Sequence, residues 1–174
     1  MRLTASDAGI IDPARFRQVL GHYPTGVVVI TALDASGTAI GMTVGSFTSV
    51  SLDPPLVAFL PDKGSSSWRA LRESGERFCV NVLSADQEDV CRAVAMRKTD
   101  KFHDIGWRPS PAGNPVINGA VAWIDCAIEQ LHDAGDHHIV VARVLNLQRG
   151  DGETPLLFHQ GAYGTFTPTD PAGR

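Results

Sequence analysis

Residues 119–148 hold two long runs, GAVAWIDCAIEQL and HIVVARVLNLQ, on either side of a tight HDAGDH link. Aliphatic and β-branched residues dominate both runs, which is strand chemistry. Asp133-Ala134-Gly135-Asp136 has the acids and the glycine that a hairpin turn needs. Strands joined this closely pair antiparallel, because a parallel partner needs a long crossover. The rest of the chain agrees. TGVVVITAL is followed by a turn at Asp34-Ala35-Ser36-Gly37, and LVAFL and RFCVNVL read as buried strands. Short strands are expected near Leu156–Phe158 and Tyr163–Phe166. Six or seven strands in one small domain leave edges to protect, and closure into a barrel removes them. A doubly wound sheet is disfavoured: strands and helices do not alternate regularly, and no G-x-G-x-x-G follows a strand.

Three helices fit between the strands. Asp12 is an N-cap with Pro13 at the first helical position, and Phe16, Val19 and Leu20 share a face. KGSSSW opens a second helix that presents Trp68 and Leu71 together and stops at Ser74-Gly75. Ser84 and Gln87 have capping-box spacing ahead of a third, with Val90, Cys91, Val94 and Ala95 on one face. MRKTDKFHDIGWRPSPAGNP reads mostly as loop. In the stretch TAIGMTVGSFTSVSL, Met42, Val44, Val50 and Leu52 share one phase of the strand period. The phase breaks beside Gly45, which suggests a bulge or a close approach of backbone to ligand. The expected division is a flexible start over 1–11, one folded unit over 12–166 and a flexible tail over 167–174.

Composition removes several function classes. The chain of 174 residues carries a formal net charge of -4, so no basic excess points to nucleic acid or an anionic membrane. No run approaches the roughly 18 apolar residues of a membrane span. MRLTASDAGI lacks the apolar core of a secretory signal. Cys79, Cys91 and Cys126 lie far apart without C-x-x-C spacing and read as small buried hydrophobes of a reducing compartment. A cytoplasmic protein is expected.

Four segments bear chemistry. Residues 41–60, GMTVGSFTSVSLDPPLVAFL, combine glycines with the hydroxyls of Thr43, Ser46, Thr48 and Ser49. Main-chain N–H groups near Gly45 and Phe47 suit the edge of a planar ring, although a polar-faced strand explains the same composition. Residues 62–68, DKGSSSW, place three serines and a lysine at a helix start, where free N–H groups and the helix dipole favour a phosphate. Capping alone needs one serine. Residues 96–102, MRKTDKF, preceded by Arg92, form a second basic stretch that either closes over a phosphate or is a solvated loop. Residues 132–138, HDAGDHH, are rich in metal-ligand types. However, His137 and His138 point to opposite faces of a strand, which opposes a shared metal. A turn histidine facing a cleft is the alternative. No G-x-S-x-G elbow supports hydrolysis.

In this order, FRQVLGHYPTGVVVITA, GMTVGSFTSVSLDPPLVAFLPDKGSSSW, RFCVNVLSADQEDV, DKF, GAVAWIDCAIEQLHDAGDH and PLLFHQGAYGTF resemble the short-chain NAD(P)H:flavin reductases, the reductase components of two-component flavin monooxygenases. The resemblance covers about residues 14–166. It implies a mainly β fold with flanking helices, a six-stranded antiparallel Greek-key barrel called the FMN-binding split barrel. It also implies a homodimer, FMN or FAD as the flavin, NADH or NADPH as hydride donor, and a separate oxygenase that receives reduced flavin. Flavin contacts would fall on Gly41, Met42, Thr43, Gly45, Ser46, Leu60, Pro61, Asp62, Ser66 and Ser67, and His137 would serve the nicotinamide. Hydride transfer between stacked rings, about 3–3.5 Å apart at the reacting atoms, requires no protein acid or base. No catalytic residue is therefore assigned.

The chain departs from the family pattern in having Gly45 where many members have Asn, Ala93-Val94 where many have Arg-Phe, and Met96-Arg97 where many have Ser-Lys. Arg97 or Lys101 would then supply the missing cation. Two alternatives remain open: a flavin-dependent reductase of another acceptor, such as a corrin or an iron chelate, or a oxidase of a pyridoxine-type substrate on the same barrel, and a non-enzymatic flavin-binding protein.

Overall fold

A computed structural model describes residues 11–96 and 100–169. In chain order the elements are α1 (Pro13–Leu20), β1 (Thr25–Gly26), β2 (Val28–Leu33), β3 (Ala39–Val44), β4 (Thr48–Leu52), β5 (Pro55–Phe59), α2 (Ser66–Glu73) and β6 (Arg77–Val82). There follow α3 (Glu88–Ala95), β7 (Trp107–Pro109), β8 (Pro115–Ile117), β9 (Ala122–Ala134), β10 (His137–Arg149), β11 (Leu156–His159) and β12 (Ala162–Thr165). Every strand pairing is antiparallel.

The main sheet has seven strands in the order β3-β2-β6-β9-β10-β5-β4. Its two edges, β3 and β4, are consecutive in the chain and joined only by Gly45–Phe47. Four Cα steps reach at most roughly 14 Å. The sheet must therefore roll until its opposite edges nearly meet. No ladder joins β3 to β4 among the described residues, so the roll stays open. The break in phase beside Gly45 is thus a passage from one edge to the other rather than a bulge. Val50 and Leu52, which share the phase of the buried Met42 and Val44, are 52% and 95% exposed, because β4 is an outer edge of this chain.

Both faces of β2 are buried, which accounts for the unbroken VVVI run. Val28 and Ile30 point into the larger core with Met42, Phe59, Trp68 and Phe78. Val29, on the other face, packs with Leu83, Cys91, Val94, Phe102 and Ile117. Burial of each large apolar side chain contributes about 1.5–3 kcal/mol. All three cysteines are buried and free, and burial followed by nearby Asp125 pushes the Cys126 thiol up to about 12.

The helices begin close to where the sequence places them. Asp12 accepts the Arg15 N–H at 3.0 Å and Pro13 starts α1. Half of the expected capping box forms at α3: Gln87 Oε1 accepts the Ser84 N–H at 3.0 Å, but the Ser84 hydroxyl turns to Asp86 and the helix starts later, at Glu88. Within the stretch read as loop, β7 and β8 form a small two-stranded sheet. It carries Ser110 and Asn114, which with Ala112 N–H satisfy the fully buried Asp125 at 2.8, 3.2 and 3.3 Å. No described helix is long and apolar enough to cross a membrane.

Candidate functional site

The site-bearing segments meet where the rolled sheet comes nearest to closing. Ser46 lies in the passage between the edges, and its hydroxyl accepts the Leu60 N–H at 2.9 Å and lies 3.4 Å from the Leu60 carbonyl. One short side chain thus ties the exit of β3 to the exit of β5. Pro61 and Asp62 follow in a tight turn: Asp62 Oδ1 accepts the Gly64 N–H at 2.6 Å and its carbonyl accepts from Ser65 N at 3.1 Å. The Asp62 carboxylate is therefore spent on its own turn.

That turn feeds α2, where the three serines divide their tasks. Ser65 is the N-cap and its hydroxyl accepts the Trp68 N–H at 3.2 Å. Ser66 and Ser67 are not needed for capping, and helix geometry leaves their N–H groups without an intrahelical acceptor. Ser67 Oγ accepts from the Lys101 ammonium at 2.7 Å, and the same ammonium lies 3.5 Å from the Gly41 carbonyl. Between β3, α2 and Lys101 is a cavity of about 170 Å³, lined by Ile40, Gly41, Ser66, Ser67, Ala70 and Lys101. Burial lowers the Lys101 pKa. A cation, two hydroxyls and free N–H groups at the positive end of a helix dipole fit a phosphate. Among the described residues, Lys101 is the basic residue that lines the cavity. Arg97 lies outside the described residues, and Arg92 is engaged elsewhere, with Glu88 at 2.6 Å and over the Tyr163 ring at 4.9 Å.

Two expectations for β3 change. The chain's own packing already requires glycine at 41 and 45, although Gly41 also lines the cavity. A Cβ on Gly41 would meet the Ile30 carbonyl at 2.7 Å and the Phe102 ring at 2.9 Å, and one on Gly45 would meet Thr25 Oγ1 at 2.7 Å. Both positions are small because the chain's own neighbours crowd them. Met42 points into the core and Thr43 Oγ1 bonds the Cys91 carbonyl at 3.3 Å, so only the main chain of these residues is left for a ligand.

The β9–β10 turn leans over the same region. His137 forms an antiparallel bridge with Asp62, and its Nδ1 is 2.7 Å from Asp136 Oδ1. His138 takes the opposite direction: its Nδ1 accepts from Trp68 Nε1 at 3.0 Å. No group of three or more His, Cys, Asp or Glu among the described residues is arranged to hold a metal.

A family model described as a flavin reductase like domain matches residues 20–167. The chain belongs to the flavin reductase family. As a member it is an oxidoreductase. It is 53% identical over 156 residues to a flavin reductase of Pseudomonas putida, covering 90% of this chain and 91% of that one. To HsaB of Rhodococcus jostii, the reductase subunit of a flavin-dependent monooxygenase, it is 47% identical over 161 residues, covering 92% and 82%. Among solved structures, the NADH:FAD oxidoreductase SgcE6 of Streptomyces globisporus, in complex with NAD and FAD fragments, superposes with a TM-score of 0.84 at 37% identity, covering 93% of this flavin reductase and 99% of that chain.

Proposed function

We propose that this flavin reductase passes a hydride from NADH or NADPH to FMN or FAD and supplies reduced flavin to a separate monooxygenase in the cytoplasm. The observation that carries the reading is the Lys101–Ser67 pair, at 2.7 Å, closing one side of a cavity at the start of α2, next to the seam of the rolled sheet. Ser66, Ser67 and Lys101 hold the flavin phosphate. The main chain of Gly41, Met42, Thr43, Gly45 and Ser46 borders the ring, with Leu60, Pro61 and Asp62 opposite. Arg97 belongs to the same basic segment and serves the phosphate with Lys101. His137 donates to the dinucleotide. Bound flavin supplies the hydride acceptor. The protein's share is orientation: the roll of the sheet brings the ring-binding passage and the phosphate-binding helix together. The functional unit spans residues 12–166, and its sheet is a split barrel of Greek-key type, opened between β3 and β4. The two reported relatives and the solved structure, with their monooxygenase, NADH and FAD, support this reading.

The decisive experiment is anaerobic addition of NADH to protein loaded with FMN or FAD. Bleaching of the flavin visible band is expected. Binding without bleaching by NADH or NADPH leaves a flavin-binding protein without reductase activity and overturns the proposal. Bleaching followed by rapid turnover with a corrin or iron chelate, but not with free flavin, favours a different acceptor.

A homodimer accompanies this reading. The apolar runs VVVI, LVAFL and AVAWI are consumed largely inside this chain: Val29 and Phe59 are fully buried and Trp123 is 2% exposed. The uncovered apolar surface lies elsewhere. Phe16, Val19 and Leu20 of α1 are 53%, 57% and 55% exposed, and Leu147 is 63% exposed. An apolar helix face left exposed among the described residues is what a subunit contact covers. Sedimentation at micromolar protein is expected to give a dimer; an active monomer would refute it.

A further inference from the structure

A hairpin tip at the end of two 13-residue strands has little of its own to hold it still. Here the last pair is Ala134 with His137, Gly135 adopts φ 64, and the Asp133 and Asp136 side chains are 82% and 89% exposed. The fastening comes from the segment that leads into α2. His138 N donates to the Pro61 carbonyl at 3.0 Å, and Lys63 N donates to the Asp136 carbonyl at 3.0 Å. Trp68 Nε1 donates to His138 Nδ1 at 3.0 Å. The Lys63 ammonium then spans the turn, donating to the Gly135 carbonyl at 2.8 Å and pairing with Asp133 Oδ1 at 2.7 Å.

We propose that Lys63 is a positioning residue for the nicotinamide donor: its ammonium clasps both arms of the β9–β10 turn and sets where His137 stands relative to the flavin loop. The inference rests on the reading of His137 as the dinucleotide contact. Lys63 grips the two residues on either side of Ala134 and, through its N–H, the residue just before His137. Removing the ammonium leaves the two main-chain bonds and the Trp68–His138 bond, all at the base of the turn, about which the tip can pivot. His137 is then less well placed before the dinucleotide arrives, and the cost falls on binding. The phosphate cavity uses Ser66, Ser67 and Lys101 and is untouched. The Asp133 carboxylate, whose pKa is lowered first by its hydrogen bond to Lys63, is the anionic half of the clasp.

The test is a cycle of Lys63→Met, His137→Ala and the double variant, with steady-state kinetics in NADH at saturating FMN and FMN affinity measured by fluorescence. His137→Ala is expected to raise the KM for NADH about tenfold, near the loss of one hydrogen bond to a charged group. Lys63→Met is expected to raise it about fivefold, with kcat and FMN affinity within about twofold of the parent. Because Lys63 acts through His137, the double variant should be no worse than His137→Ala alone. Lys63→Arg keeps donors for both acceptors and should restore most of the KM. A parental KM in Lys63→Met, beside a raised one in His137→Ala, overturns the clasp alone. Effects that multiply in the double variant make Lys63 a direct contact and also overturn it. A parental KM in His137→Ala removes the nicotinamide reading on which the clasp depends.

Discussion

Replacing Phe59 by alanine is expected to lower the unfolding free energy by about 3–5 kcal/mol, the range for a large aromatic removed from a closed core. Phe59 is fully buried at the end of β5. Its ring stands edge-on to Trp68 at 5.7 Å and to Phe78 at 5.5 Å, so it joins α2 to the sheet. The loss has two parts, the transfer of the ring and the void left between two other large rings. Urea unfolding at a fixed protomer concentration should show a lower midpoint with an unchanged slope. A loss under about 1 kcal/mol would mean that Trp68 and Phe78 collapse into the space. The effect should reach the site, because Trp68 directly follows Ser66 and Ser67 in α2 and loses its packing against β5.

The second large effect concerns the phosphate cavity. Changing Ser66 and Ser67 together to alanine is expected to cost about 1–3 kcal/mol in FMN affinity, since both hydroxyls face a charged group. Ser65 keeps the cap and the helix keeps its N–H groups, so the fold is spared. Lys101 loses its acceptor on Ser67 but stays beside the Gly41 carbonyl. Riboflavin has no phosphate, and its affinity should barely change. Titration of both ligands decides the matter: equal losses would reduce the serines to helix formers.

What could be read in advance follows from how local each signal is. Asp12-Pro13, Asp34–Gly37 and the Asp133–Asp136 turn are set by neighbours a few residues away, and each forms as its chemistry requires. The serine cluster was legible as a helix start, but which serine caps was not, because the choice depends on where the chain leaves the Pro61–Asp62 turn. Gly41 and Gly45 are legible as positions that need a small residue, but the crowding by Phe102 and Thr25 is not, because nothing local announces those contacts. Val50 and Leu52 have the alternation of core residues, yet alternation says which residues share a face and not whether that face is covered. The β7–β8 pair is too short to show a period, and its use becomes visible only with Asp125 buried behind it. Asp125 itself reads as an ordinary polar residue in a strand. Its three partners come from the loop between β7 and β8, 11 to 15 residues away.

The passage at Gly45–Phe47 has a bearing on when the site exists. Strands β3 and β4 are adjacent in the chain, yet they become neighbours in space only after five other strands have taken their places between them. Two of those pairings tie β5 to β10 and β6 to β9, contacts of long sequence separation that form slowly. A half-folded chain therefore lacks the seam beside the helix start at Ser66. A flavin that needs both would discriminate almost completely between the folded state and anything short of it. Free flavin at about 100 times its dissociation constant would then add about 2.7 kcal/mol to the stability of the whole chain through mass action. Cellular flavin would thereby act as a folding ligand, and a chain starved of it would lose protection from proteolysis as well as activity.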